Sequence, residues 1–293
     1  MERHAGRSAK RSTVAMNTAT RKGSVLRTVR ALLLATVLAV MAACGGSSDD
    51  AADPTVEDDV TVASGPDAPD CPVRNHLASE YNGRTRGGVE TPIDYAFLEA
   101  QRGGCHPVRF NPCEPIRYVV NSTLAPAGVV EDLREAIGKV EAATGLTFVD
   151  DGPTDETASN NRTLSQPRYG NRWAPVLISW ERGERFRMAA TNPAGGQSTA
   201  VDDVYVSGVL IVNADAIQPA RGFGEGNTWG RVFIHELGHI VGLGHVARSD
   251  QIMFPELDVQ RGRAEFHAGD LAGLRLIGRE AGCLTTPPAP VRR

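Results

Sequence analysis

The stretch "HELGHIVGLGHVARSDQIMFP", residues 235–255, concentrates three histidines, one acid next to the first of them, and three glycines. On an α-helix, residues four apart project from one face, so His235 and His239 can present two imidazoles to one ion. A catalytic zinc site takes three protein ligands and keeps one position open. His245 supplies the third, provided that the helix ends before it. Gly242 makes that possible, because glycine can take a positive φ and turn the chain back under the metal. Glu236 is poorly placed to coordinate beside His235, yet well placed to hold a water and take its proton. The chemistry indicated is hydrolysis assisted by one Zn2+.

Chance gives H-E-x-x-H in about one chain in a hundred of this length, and about one in a hundred thousand once the glycine and third histidine are added. A core helix with satisfied histidines, or a surface helix with idle ones, explains neither the glutamate nor the glycine. Glu256 and Glu265 are alternative third ligands, but His245 has the better-defined spacing.

Such a centre needs a rigid frame, and the preceding residues supply the elements of one. "IRYVVN" (116–121) reads as a β-branched and aromatic strand. Pro126 opens a helix in which Val129, Val130, Leu133, Ile137 and Val140 recur at helical spacing until Gly145. "LTFV" (146–149) is a short strand, followed by a polar loop over 150–174. "PVLISW" (175–180) reads as a buried strand, "RMAAT" (187–191) as an edge strand, and "VSGVLIVNAD" (206–215) as the strongest strand. "GNTWGRVFIHELGHIVGL" is the helix carrying the motif, with Asn227 or Thr228 as N-cap. "AGDLAGLRLIG" (268–278) is the last helix. No internal repeat is present, and short strands with three helices predict one α+β domain.

The chain has 293 residues, 41% hydrophobic and 23% charged, an ordinary globular composition with a formal net charge of −4. Bases crowd residues 1–43, whereas residues 45–70 hold eight Asp or Glu and no base. The remainder is close to neutral without a basic patch, which excludes nucleic acid as a partner. The apolar run "ALLLATVLAVMAA" after Arg21, Lys22, Arg27 and Arg30 is shorter than the ~20 residues a membrane span needs and suits a signal peptide. Met16 is an equally serviceable start. "MAACGG" resembles a bacterial lipoprotein box, which makes Cys44 the lipidated N-terminus of an extracytoplasmic, membrane-anchored chain. Without lipidation the chain is secreted.

The expected organisation is a signal peptide over 1–43, a disordered acidic tether over 44–70, an N-terminal lead-in over 71–115, a catalytic domain over 116–283 and a C-terminal tail over 284–293. Cys71, Cys105, Cys113 and Cys283 form an even set in an oxidising compartment, hence two disulfides with three possible pairings. The expected pairing closes a short loop through Cys105–Cys113 and ties the domain ends through Cys71–Cys283.

"HELGHIVGLGH" has the H-E-x-x-H-x-x-G-x-x-H pattern of the metzincin zinc peptidases, and Met253 in "SDQIMFP" resembles their Met-turn. The M-F-P sequence is most similar to the matrixins. "YAFLEAQRGGCHPVRFNPCEPIRYVVN" resembles the entry segment of bacterial matrixin-like lipoproteins, and "FHAGDLAGLRLIG" their last helix, so that the resemblance covers about residues 93–280. It implies a zincin-like fold, with a small mixed twisted sheet, an active-site helix and a C-terminal helix. It also implies His235, His239 and His245 as zinc ligands, Glu236 as general base and acid, and Met253 as a structural floor. Phe254 and Pro255 would begin a substrate pocket wall, and the edge strand near Met188–Thr191 would pair with an extended substrate. Val246 and Leu257 depart from the animal matrixins, which have Ser and Tyr there. Cys71 lacks the surroundings of a latency switch. "NST" (121–123) and "NRT" (161–163) fit the glycosylation pattern by coincidence in a bacterial-type lipoprotein.

The expected protein is therefore a monomeric zinc endopeptidase acting on extracytoplasmic proteins or peptides. The rival readings are a catalytically silent binding lipoprotein of the same fold, which loss of Glu236 or a ligand would favour, and a metal-capture protein. The latter would close the fourth position with a further His or Cys, and none lies near the motif.

Overall fold

A computed structural model describes residues 94–257 and 260–290. The expected signal peptide, Cys44, the acidic tether, Cys71 and the first part of the lead-in lie outside the described residues. Among the described residues no helix is long and apolar enough to cross a membrane.

The elements run β1 (Ala96–Phe97), β2 (Ile116–Asn121), α1 (Val129–Thr144), β3 (Phe148–Pro153), β4 (Val176–Glu181), β5 (Ala194–Val201), β6 (Val204–Asn213), α2 (Trp229–Val241), β7 (Leu243–Gly244) and α3 (Ala268–Ile277). Five strands form one sheet in the order β3-β2-β4-β6-β5. All neighbours are parallel except β5, which pairs antiparallel with β6 at the edge. The sheet is thus small and mixed, and with the three helices of the described residues the fold is α+β, the architecture expected of a zincin-like domain.

Side-chain alternation assigns the two faces of the sheet. Tyr118, Val120, Val176, Ile178, Leu210 and Val212 enter the main core with the helices, whereas Val119, Leu177, Val209 and Ile211 meet Ala158, Tyr169 and Phe186 on the other face. Both faces are covered, so β4 is buried along its whole length, which suits its apolar run. On the helical side, α1 contributes Val129, Leu133, Ile137 and Val140 and packs on α2 and α3. Trp180 of β4 meets Phe233 of α2 edge-on, and Phe233 stacks on Trp229. These contacts fix the motif-bearing helix against the sheet.

Two expectations are corrected. The edge strand is β5, Ala194–Val201, and not 187–191. Residues 183–186 form a 3-10 turn and Arg187 takes a φ of 56°, which interrupts any extended run there. The sequence "AGGQSTAV" has weak strand propensity, and it is extended because it pairs along β6. Secondly, Cys113 bonds to Cys283, and not to Cys105, with Cα atoms 5.4 Å apart. Asn111 explains the choice: its Oδ1 accepts from the backbone N–H of both Cys113 and Leu284, which brings the two cysteines together. Cys105 is itself disulfide-bonded, at the tip of a hairpin closed by Gln101 N–H to the His106 carbonyl.

The described part of the lead-in is built into the domain. Ala96 and Phe97 are completely buried, and β1 pairs antiparallel with β7. The tail packs as well: Asn111 Nδ2 donates to Thr286 Oγ1, and Trp173 Nε1 donates to the Pro287 carbonyl.

Candidate active site

Helix α2 begins at Thr228, whose side chain accepts from Arg231 N–H, and ends at Gly242 with a φ of 118°. A side chain at Gly242 would be strained at that angle and would press on the Val108 carbonyl and the Tyr205 ring. The helix therefore stops two residues after its second histidine, and β7 carries the chain on to His245. The expected role of Gly242 in ending the helix is what the backbone shows.

His235, His239 and His245 converge through Nε2. The three Nε2–Nε2 distances are 3.1, 3.1 and 3.2 Å. His235 Nδ1 lies 2.7 Å from the Ile252 carbonyl and His239 Nδ1 lies 2.8 Å from the Leu243 carbonyl. A carbonyl oxygen only accepts, so both Nδ1 atoms carry the proton and both Nε2 atoms offer a lone pair. Two such nitrogens cannot hydrogen-bond to each other, whereas a cation placed between them would be bound by both lone pairs. Equal Zn–N bonds of ~2.05 Å in tetrahedral geometry put ligand nitrogens about 3.3 Å apart, so the donor set fits zinc. Burial lowers the pKa of His235 and brings that of His239 down to about 4; His245, the exposed member at the cleft, is lowered for the same reason. All three are neutral imidazoles at neutral pH, the form that ligates metal.

Glu236 is 5% exposed, and its Oε2 accepts from Gly196 N–H at 2.6 Å. Burial pushes its carboxyl up to about 7, against the opposing pull of that N–H. The close approach depends on Gly196 having no side chain, since a Cβ there would sit 2.6 Å from the Glu236 carbonyl. The three histidines and Glu236 share an open cleft of about 820 Å³ with residues 191–196, Ile217, Asn227 and Pro255–Leu257. Of the two expected pocket-wall residues, Pro255 lines this cleft and Phe254 does not.

Met253 is buried beneath α2, and a Cβ on Gly238 would come within 2.5 Å of its Sδ. The Met253 carbonyl accepts from Val246 N–H, one residue past His245. From the other side, Asp270 of α3 accepts from the Ile252 and Met253 N–H groups at 2.8 and 3.2 Å. Burial raises the Asp270 carboxyl, while these N–H groups and that of His267 pull it down. Gln260 donates to the Gln251 carbonyl and accepts from the guanidinium of Arg231, a fully buried residue one turn before His235.

This support was missed from the sequence. The carbonyls of Ile252 and Leu243 carry no side-chain signal. Asp270 was visible only as an acid in the first turn of a helix, and Gly196 only as a glycine in a loop.

Residues 177–277 match the family model described as Matrixin. The match runs from β4 to α3 and takes in the three histidines, Glu236, Gly242 and Met253. A comparison with curated proteins finds no match.

Proposed function

We propose that the protein is a metzincin-like zinc endopeptidase that cleaves extended protein or peptide chains outside the cytoplasm, a reading supported by the match of residues 177–277 to the matrixin family model. The observation that carries this reading is the convergence of three neutral imidazole Nε2 atoms beside a buried carboxylate in an open cleft.

His235, His239 and His245 hold the ion, with the Ile252 and Leu243 carbonyls orienting the first two rings. Bound there, zinc supplies Lewis acidity that polarises a carbonyl and acidifies a water. Glu236 accepts a proton from the attacking water and delivers it to the leaving amine. The Gly196 N–H keeps that carboxylate at the strand edge. Asn213 N–H bonds to the Pro193 carbonyl, and antiparallel alternation then turns Ala194, Gly196 and Ser198 away from β6. A peptide adds along this edge as a further strand, a role that passes from 188–191 to β5. Pro255 and Leu257 contact the residue beyond the cleaved bond. Export through residues 1–43 and lipidation of Cys44 tether the enzyme to the membrane surface, where it acts as a monomer.

The test is Glu236→Gln, with zinc content and peptide cleavage measured on one preparation. Zinc should remain at one equivalent while kcat/KM falls at least ~100-fold. Wild-type protein that binds zinc and cleaves nothing in a broad peptide library would instead support the silent, binding lipoprotein.

A further inference from the structure

Residues 94–98 lie against the metal centre without contributing a ligand. Leu98 N–H donates to the Gly242 carbonyl at 3.0 Å, and Ala96 and Phe97 pair with Gly244 and Leu243. The paired turn lies between His239 and His245 in the chain. Its Leu243 carbonyl is also the acceptor for His239 Nδ1. One two-residue strand thus holds the turn that delivers the third histidine and the atom that orients the second.

The segment is itself held from behind by α3. A Cβ on Gly269 would sit 2.1 Å from the Asp94 carbonyl, and a Cβ on Gly273 would sit 2.9 Å from both Tyr95 Cβ and Leu243 Cδ2. Helix α3 therefore leaves room for the strand backbone by omitting two side chains one turn apart. Phe97 fills the core with no exposed surface.

We propose that residues 94–98 are a positioning strap for the metal centre, so that docking of the strap and binding of zinc favour one another. The proposal rests on the reading of the three histidines as zinc ligands. Its physical content is linkage: if the docked strap raises zinc affinity, zinc must raise the occupancy of the docked strap by the same factor.

The first arm uses the wild-type full chain. Amide hydrogen exchange is followed with zinc bound and after chelation, comparing residues 94–98, residues 242–245 and the core strands β2 and β4. Chelation should speed exchange in the strap and the turn together, and leave β2 and β4 unchanged. A strap whose exchange is indifferent to zinc while 242–245 responds overturns the proposal.

The second arm measures zinc affinity by chelator competition. Leu98→Pro removes the N–H that meets Gly242, whereas Leu98→Ala keeps it. Loss of an outer-shell support typically costs about 10- to 100-fold in metal affinity, so Leu98→Pro should weaken zinc by that factor and Leu98→Ala should stay within about threefold of wild type. Val140→Ala, a buried α1 truncation, controls for general destabilisation and should leave zinc affinity unchanged. Equal affinities for the two Leu98 variants overturn the proposal, and the exchange arm decides if Leu98→Pro does not fold. A wild-type chain that takes up no zinc overturns the ligand reading, and the strap with it.

Discussion

Gly238 has no side chain because Met253 Sδ occupies the space one would need. Adding a methyl there pushes either the Met-turn or α2 out of place, one residue before His239. Gly238→Ala should therefore destabilise by about 1–3 kcal/mol, as overpacking does, and weaken zinc; unchanged thermal unfolding would show that Met253 simply moves aside. A second residue-scale case lies on the far face of the sheet. Glu156 and Arg162 form an ion pair with both side chains under 10% exposed. Burial alone pushes the Glu156 carboxyl up, but hydrogen bonds from Arg162, Tyr169 and Gln166 outweigh it and hold it below its ordinary value of about 4.5. A carboxyl lowered by folding contributes stability above that value and loses it as pH falls through the folded pKa. Glu156→Gln should cost about 3–5 kcal/mol at neutral pH, because Arg162 is left buried without its partner. Below about pH 4.5 the wild type should lose stability more steeply than the variant, which parallel pH–stability curves would refute. The convergence of the three histidines was legible in the sequence, because helical spacing puts His235 and His239 on one face and Gly242 permits the turn that returns His245. Their supports were not, since backbone carbonyls look alike at every position.

At the scale of elements, the capping of α2 sets where the histidine pair begins. Thr228→Ala removes the side-chain acceptor for Arg231 N–H and should cost about 0.5–2 kcal/mol, measured by denaturant titration. Thr228→Ser should recover most of it. Strands β2, β4 and β6 and all three helices could be read from apolar period and caps, with ends displaced by one to a few residues. β5 could not, for a physical reason. Its glycines and small polar residues prefer no strand, and its extension comes from pairing with β6. The same poverty of side chains lets Gly196 approach Glu236, so the feature that hid the strand is the one that puts it beside the carboxylate.

At the scale of the whole molecule, the Cys113–Cys283 bond closes a loop with a sequence separation of 170 residues. The paired variant Cys113→Ser with Cys283→Ser should lose about 2–5 kcal/mol, while a change of less than ~0.5 kcal/mol would mean that Asn111 and the packed tail already hold the ends. Even cysteine count made disulfides legible, but pairing depended on how the chain returns after α3, which no local pattern records. Asp270 adds a matter of timing. It lies near the end of the domain and holds the Ile252 and Met253 N–H groups, and the Ile252 carbonyl in turn orients His235. In N- to C-terminal synthesis this support is added only when α3 emerges, after His235, His239 and His245. The histidine cluster is thus braced last, by a helix that follows all three of its imidazoles in the chain.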